Sequence, residues 1–215
     1  TSTNCSQNLN GNATVVVNPL PTANVSAATS PICATENAVF NLTGTPNAEV
    51  TYSINSGGNQ TVMLNGSGTA SVTVNNATTS QTLTLVSVRN TSTNCSQNLN
   101  GNATVVVNQP ATVAAGTAQT ICQTKTVNLV NIGASIGGGA TAGIWSTSGD
   151  GTFTGGTAFG AATAYVPGVN DKKLGTVTLT LTTTDAPVSC PNVADQVQIT
   201  ILKVDCGAFP WSGSN

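Results

Sequence analysis

The sequence predicts an all-β protein in which tandem immunoglobulin-like β-sandwich domains form an extended array. Three observations support this prediction: the composition, short runs of alternating apolar residues, and an internal repeat. Only 6% of the 215 residues are charged, whereas a soluble domain usually has about a quarter. Thr, Ser, Asn and Gly replace them, with Val, Ala, Leu and Ile in between. That mixture favours half-buried strands joined by polar turns and disfavours helices.

Period-two alternation predicts about seven strands in each of two segments, because it places one face in a core and the other in water. In the first segment the strands fall near 22–28, 38–44, 49–56, 60–65, 69–75, 81–89 and 102–107. In the second they fall near 111–115, 126–132, 142–147, 151–154, 161–166, 176–183 and 195–202. The third strand of each segment carries a large ring, Tyr52 and Trp145, which we expect to fill the core. The apolar residues of 81–89 change face midway, which predicts a bulge or burial on both faces.

An exact repeat defines the domain organisation. Residues 1–18, TSTNCSQNLNGNATVVVN, recur unchanged at 91–108, which gives a period of 90 residues. A period near 90 is too long for a solenoid and suits an immunoglobulin-sized domain. We therefore expect 1–18 to be the last-strand region of a preceding repeat, followed by sandwich repeats at 19–108 and 109–202. Residues 203–215 match neither repeat and are expected to be a linker or the start of another module.

Six cysteines predict disulfides and an oxidising compartment outside the cytosol. The expected pairs lie within each repeat, Cys33 with Cys95 and Cys122 with Cys190, where closing such a loop stabilises by about 4 kcal/mol on the chain-entropy model. Cys5 is the counterpart of Cys95, and Cys206 lies near the start of a further repeat. Both are expected to be unpaired, or to bond to another unit of the array or another subunit of a polymer.

The residues predict neither catalysis nor a cofactor or metal site. Histidine is absent, so the usual general base and the Ser–His and Cys–His pairs are missing. The seven carboxylates are scattered and mostly flanked by turn residues, so solvated loop positions are expected. They are not gathered at a domain junction, as a calcium site would require. A net charge of -2 without a basic cluster predicts no nucleic-acid partner, and no apolar run is long enough to insert into a membrane.

The sequences of both repeats resemble a known family. The second repeat contains GGGATAGIWSTSGDGTF and LGTVTLTLTTTDAPVSCPNVADQVQITI, and the first contains SPICATENAVFNLTGTPNAEVTYSIN. These look like the PKD-like and immunoglobulin-like repeats of giant secreted cell-surface adhesins of Bacteroidota, over residues 1 to about 202. The resemblance implies export by type IX secretion, display on the bacterial cell surface, and a place among adhesins that drive gliding motility.

The resulting hypothesis is mechanical: the chain is the stalk region of a long adhesin or filament, with neighbouring repeats of the same chain as its main partners. Surface polysaccharide and outer-membrane anchoring proteins are further expected partners. Proline after Asn18 and Gln109 limits backbone freedom between repeats. One alternative is a self-polymerising filament subunit in which residues 1–18 are donated as a strand to a neighbour. Another is a carbohydrate-binding module that uses Trp145 or Trp211.

Overall fold

The computed structural model describes Thr1 and residues 3–204. Strands account for 46% of the chain and helix for 3%, so the predicted all-β class is confirmed. Contacts within the chain define two compact units. The first contains Thr1–Ser26, Phe40–Val72 and Thr82–Ala103; the second contains Ala27–Val39, Thr73–Gln81 and the chain from Thr104 onward. The repeat limits at 19–108 and 109–202 remain predictions from the sequence.

Short strands fill the chain between residues 23 and 108. They are β1 (Ala23–Ala27), β2 (Ile32–Cys33), β3 (Ala38–Gly44), β4 (Ala48–Ile54), β5 (Gln60–Met63), β6 (Thr69–Val74), β7 (Gln81–Asn90), β8 (Ser96–Asn98), β9 (Asn102–Val105) and β10 (Val107–Asn108). One sheet has the order β1-β3-β6, and another has the order β5-β4-β7-β8 with β9 also paired to β7. A parallel pair, β10-β2, completes this set. The alternating apolar residues point inward, because Phe40, Leu42, Val50, Leu83 and Leu85 are all buried.

Strand β7 contains the irregularity that its sequence predicts. Tyr52 of β4 pairs with Leu85, but the preceding Thr51 pairs with Ser87, so Val86 is an extra residue in the ladder. The buried set accordingly moves from Leu83 and Leu85 to Val88. One extra residue is what a β-bulge requires, and it lets both halves of the strand face the core.

The second set of strands runs from residue 111 to residue 202. It comprises β11 (Ala111–Ala114), β12 (Gln119–Cys122), β13 (Val127–Asn128), β14 (Ser135–Gly138), β15 (Gly143–Thr147), β16 (Thr152–Thr154), β17 (Ala164–Val166), β18 (Thr176–Thr183) and β19 (Ala194–Leu202). The sheets have the orders β12-β19-β18-β15, β13-β17-β16 and β11-β14. Apolar side chains from these strands form one buried cluster, which includes Val127, Leu129, Ile132, Trp145, Tyr165, Leu179, Leu181, Val197 and Ile199.

A one-and-a-half-turn helix, α1 (Val169–Leu174), precedes β18. It ends at Gly175, whose φ of 82° is left-handed and suits glycine. No helix was expected here, because six mostly polar residues carry no helical periodicity. Within residues 3–204, no helix is long and apolar enough to cross a membrane.

The two copies of the repeated 18-residue sequence differ in structure. Residues 3–18 form no strand and are exposed throughout, whereas their copy at 91–108 contributes β8, β9 and β10. The same residues are therefore strand-forming when a sheet is there to receive them.

Candidate functional site

The short strand β2 holds Cys33 in a defined position. Ile32 pairs with Val107 and Cys33 with Asn108 in a parallel register. The turn after the strand is closed by Glu36, whose carboxylate accepts a hydrogen bond of 2.8 Å from the Cys33 amide. Cys33 is buried and lies beside Asn108, the last residue of β10.

A disulfide joins Cys33 to Cys190, with the Cα atoms 5.2 Å apart. Cys190 lies in the turn between β18 and β19, where its amide donates to the Pro187 carbonyl at 2.7 Å. The two cysteines are 157 residues apart in sequence and belong to different predicted repeats. Closing a loop of that length corresponds to about 5 kcal/mol on the chain-entropy model.

Asn108 connects the two sides of this bond. Its carbonyl accepts a 2.9 Å hydrogen bond from the Ala34 amide and lies 3.7 Å from the Cys190 sulfur. Its side-chain amide donates to the Ser189 hydroxyl at 3.0 Å. The sequence marks Asn108 only as a repeat boundary, and nothing in its local pattern identifies Ser189 as its partner.

The predicted pairs Cys33–Cys95 and Cys122–Cys190 are therefore wrong. A disulfide needs Cα atoms within about 7 Å, and the residue that meets this requirement at Cys33 is Cys190. Cys5 and Cys95 are free thiols. Cys122 is also disulfide-bonded, and the prediction for Cys206 falls outside the described residues.

The two aromatic residues singled out in the sequence are buried. Tyr52 is 6% exposed and Trp145 is 3% exposed. The indole of Trp145 packs within the apolar cluster of the second set of strands, so it offers no face on which a sugar ring could stack. Trp211 lies outside the described residues.

A buried polar cluster surrounds helix α1. The Tyr165 hydroxyl donates to the Asp171 carboxylate at 2.5 Å and accepts hydrogen bonds from the Thr147 hydroxyl and the Gly151 amide. Asp171 is only 1% exposed, which corrects the expectation of solvated carboxylates. Its burial is compensated because its carboxyl group accepts hydrogen bonds from the Tyr165 hydroxyl and the Gly168 amide. Burial, followed by the hydrogen bond to Asp171, raises the pKa of Tyr165 to about 12.

Three further aspartates close loops through backbone amides. The Asp150 carboxylate accepts from the amides of Asn170 and Asp171, and the Asn170 amide contributes most to lowering its pKa. Asp185 accepts from Ala142 and Thr141, and Asp195 accepts from Ala115. The amide of Ala142 lowers the pKa of Asp185, and that of Ala115 lowers the pKa of Asp195.

These carboxylates act as structural acceptors. Among residues 3–204, no group of three or more His, Cys, Asp or Glu side chains is placed to hold a metal ion. Glu36 is engaged by the Cys33 amide and Glu49 by Arg89 at 2.6 Å. The feature with chemical consequence is therefore the covalent cross-link between Cys33 and Cys190.

Comparisons with known proteins find solved structures that share little sequence with this chain. No protein-family model matches the chain, and no curated protein matches it. Among solved structures, DIP-gamma IG1+IG2 has 11% identity and a TM-score of 0.45, covering 85% of this chain and 98% of that one. A Ca²⁺-stabilized adhesin with which an Antarctic bacterium binds ice has 19% identity and a TM-score of 0.40, with coverages of 85% and 49%. Drosophila N-cadherin EC1-4 has 10% identity and a TM-score of 0.46, with coverages of 84% and 50%. The chain thus spans about half the length of the last two.

Proposed function

We propose that this chain is a structural repeat region, or stalk, of a long secreted bacterial cell-surface adhesin or filament. Its role is to hold an adhesive part away from the cell during surface attachment and gliding. The proposal includes export by type IX secretion from a member of the Bacteroidota, as the sequence resemblance implies. Neighbouring repeats, surface polysaccharide and outer-membrane anchoring proteins are the proposed partners.

The observation that carries this proposal is the disulfide between Cys33 and Cys190. A bond between two sequence repeats transmits tension even when the strands between its ends are pulled apart. Such a bond also supports an extracellular location, because cytosolic thiols are kept reduced.

The composition of the surface supports the same role. With five basic and seven acidic side chains in 215 residues, the chain has few charges through which to attract nucleic acid or anionic membranes. Hydroxyl and amide side chains keep the surface hydrated without creating a strong electrostatic field. This neutrality suits a spacer, since charged molecules are only weakly attracted along its length.

The proposal is tested on the native polypeptide. Antibodies raised against residues 19–202 should label intact cells, and the labelled chain, recovered and mapped by peptide mass spectrometry, should contain thousands of residues. Its size should not change with reductant. A chain close to 215 residues long that forms ladders without reductant would instead establish a polymerising subunit.

The exposed N-terminal copy of the repeat favours a second candidate, a filament subunit that donates residues 1–18 to the sheet of a neighbour. The copy at 91–108 shows that this sequence can form β8, β9 and β10. Removing residues 1–18 should then abolish concentration-dependent assembly in sedimentation measurements, with or without reductant. A monomeric full-length chain at high concentration would exclude this candidate.

The carbohydrate-binding candidate now depends on Trp211 alone, because Trp145 is buried. If Trp211→Ala still binds surface polysaccharide, the carbohydrate-binding candidate is excluded, because neither tryptophan can then stack on a sugar ring.

A further inference from the structure

The two repeats place one cysteine at equivalent positions early in each set of strands. Cys33 ends β2 and pairs in parallel with Asn108, the last residue of β10. Cys122 ends β12 and pairs in parallel with Leu202, the last residue of β19. Each follows an isoleucine. We refer to Cys33 and Cys122 as the early cysteines.

A second pair of cysteines is equivalent near the end of each repeat. Cys95 lies in the turn between the antiparallel strands β7 and β8, and Cys190 lies in the turn between the antiparallel strands β18 and β19. Cys5 is the counterpart of Cys95 in the identical 18-residue sequence. We refer to Cys95, Cys190 and Cys5 as the late cysteines.

The bonding of these cysteines follows a direction. The early cysteine of the first repeat is bonded to the late cysteine of the second, as Cys33–Cys190. The other early cysteine, Cys122, is also bonded, but not to Cys5, Cys95 or Cys190, so Cys33–Cys190 alone shows this direction. Cys95 and Cys5, which are late cysteines, are free. Cys190, which is the equivalent of Cys95 in the second repeat, is thus already bonded to the preceding repeat.

We propose that Cys95 is the attachment site for the early cysteine of a repeat placed before residues 19–108. This bond would repeat, one repeat earlier, the early-to-late pairing of Cys33 with Cys190. This inference rests on the proposed stalk function, since it needs an array. Its consequence is a chain of overlapping covalent loops: the loop that ends at Cys95 overlaps the one that runs from Cys33 to Cys190.

The surroundings of Cys95 suit this role. Its carbonyl accepts a 2.8 Å hydrogen bond from the Asn90 amide, so the turn is ordered, and its side chain is only half-buried. In the reaction, two thiols lose two protons and two electrons and form one disulfide. An oxidised protein dithiol or oxidised glutathione accepts them by thiol–disulfide exchange.

The identity of residues 1–18 and 91–108 makes a direct test possible. Fusing a copy of residues 19–90 in front of Thr1 creates a complete added repeat with the same sequence as 19–108. After free thiols are blocked, peptide mapping without reductant should find the added copy of Cys33 bonded to Cys95. Cys33–Cys190 should persist and Cys5 should be alkylated. A bond from the added cysteine to Cys5, or a free Cys95, would overturn the proposal.

The 215-residue chain supplies a second test that does not need the added repeat to fold. Cys190→Ser removes the partner of Cys33. After equilibration in a glutathione buffer, both Cys33 and Cys95 should be alkylated, because bonds form between repeats and not within one. A Cys33–Cys95 disulfide in this variant contradicts the proposal. In the extended chain, Cys95→Ser is the matched control and should leave the added cysteine free.

These outcomes are separable from those that test the stalk function. The cysteine map reports only which repeats are bonded, whether or not the native protein lies on a cell surface. A native chain of thousands of residues in which Cys95 is free would retain the stalk and refute the early-to-late bond.

Discussion

Val15 and Val105 occupy the same place in two identical 18-residue sequences, yet Val15 is 85% exposed and Val105 is 0% exposed. Local sequence is the same for both, so the difference comes entirely from the sheet that receives one copy. Strand β9, which ends at Val105, pairs with β7. Burial in this chain is therefore decided by pairing over long sequence distances.

This relationship supplies a matched pair of substitutions. Val105→Ala removes two buried methyl groups and leaves a cavity, so we expect a loss of about 2 kcal/mol in the free energy of unfolding. Val15→Ala makes the same substitution in the same local sequence, but at an exposed position, so it should leave the free energy of unfolding unchanged. Urea denaturation of both variants measures the difference. Equal losses would mean that residues 1–18 are packed in solution.

Reduction should lengthen the unfolded chain under force. While Cys33 and Cys190 are bonded, the chain between them, a sequence separation of 157 residues, cannot extend. Reductant should release about 55 nm of contour length, at ~3.5 Å per residue. Single-molecule force spectroscopy measures this increment directly. Without reductant, Cys190→Ser should extend further than the parent chain, while the remaining bond at Cys122 opens only on reduction. An extension that neither treatment changes would exclude the Cys33–Cys190 bond.

Loss of the Tyr165 hydroxyl should destabilise the second set of strands. In Tyr165→Phe, the buried carboxylate of Asp171 loses a hydrogen-bond donor, at a cost of about 1–3 kcal/mol. Tyr52→Phe is the control, because the Tyr52 hydroxyl bonds at 3.2 Å to Gln60, an exposed residue that water can satisfy. Its removal should cost less than about 1 kcal/mol. The urea midpoints of the two variants measure both losses of stability, provided that the m-values are unchanged. Similar losses would show that Asp171 finds another donor.

The loop-closing aspartates should make the fold sensitive to acid. The pKa of Asp185 in the folded state lies below its ordinary value of 3.8, because it accepts hydrogen bonds from Ala142 and Thr141. Its contribution to stability is therefore complete above that value and is lost as the pH falls through the folded-state pKa. Asp185→Asn should be less stable than the parent at neutral pH and should lose less stability between about pH 5 and pH 2. If the parent and Asp185→Asn lose the same amount of stability in acid, the acid sensitivity comes from groups other than Asp185.

The sequence predicts the longer strands, because alternation of apolar and polar residues can be recognised only over several positions. Strands such as β7 and β18 meet this condition, and even the face change around Val86 can be read from the pattern. The strands β2 and β12 cannot be read in this way. Each has at most four residues and exists because it pairs with the distant end of another strand.

The disulfide pairing could not be predicted for the same reason. Loop-closure entropy varies slowly with loop length, so it does not distinguish Cys95 from Cys190 as the partner of Cys33. The choice depends on where the turn before β19 lies, and Pro187, Ser189 and Asn108 fix that turn through contacts between distant residues. Asp171 was misjudged because its partner, Tyr165, reads as an ordinary core aromatic residue.

The disulfide between Cys33 and Cys190 also limits the effect of proteolytic cleavage on the chain. Four of the five Lys and Arg side chains lie between the two cysteines, at Arg89, Lys125, Lys172 and Lys173. A single tryptic cut at any of them opens a ring, and the two new ends remain attached to one molecule through the sulfur atoms. A chain that is cut once between the two cysteines therefore remains one molecule until the disulfide is reduced.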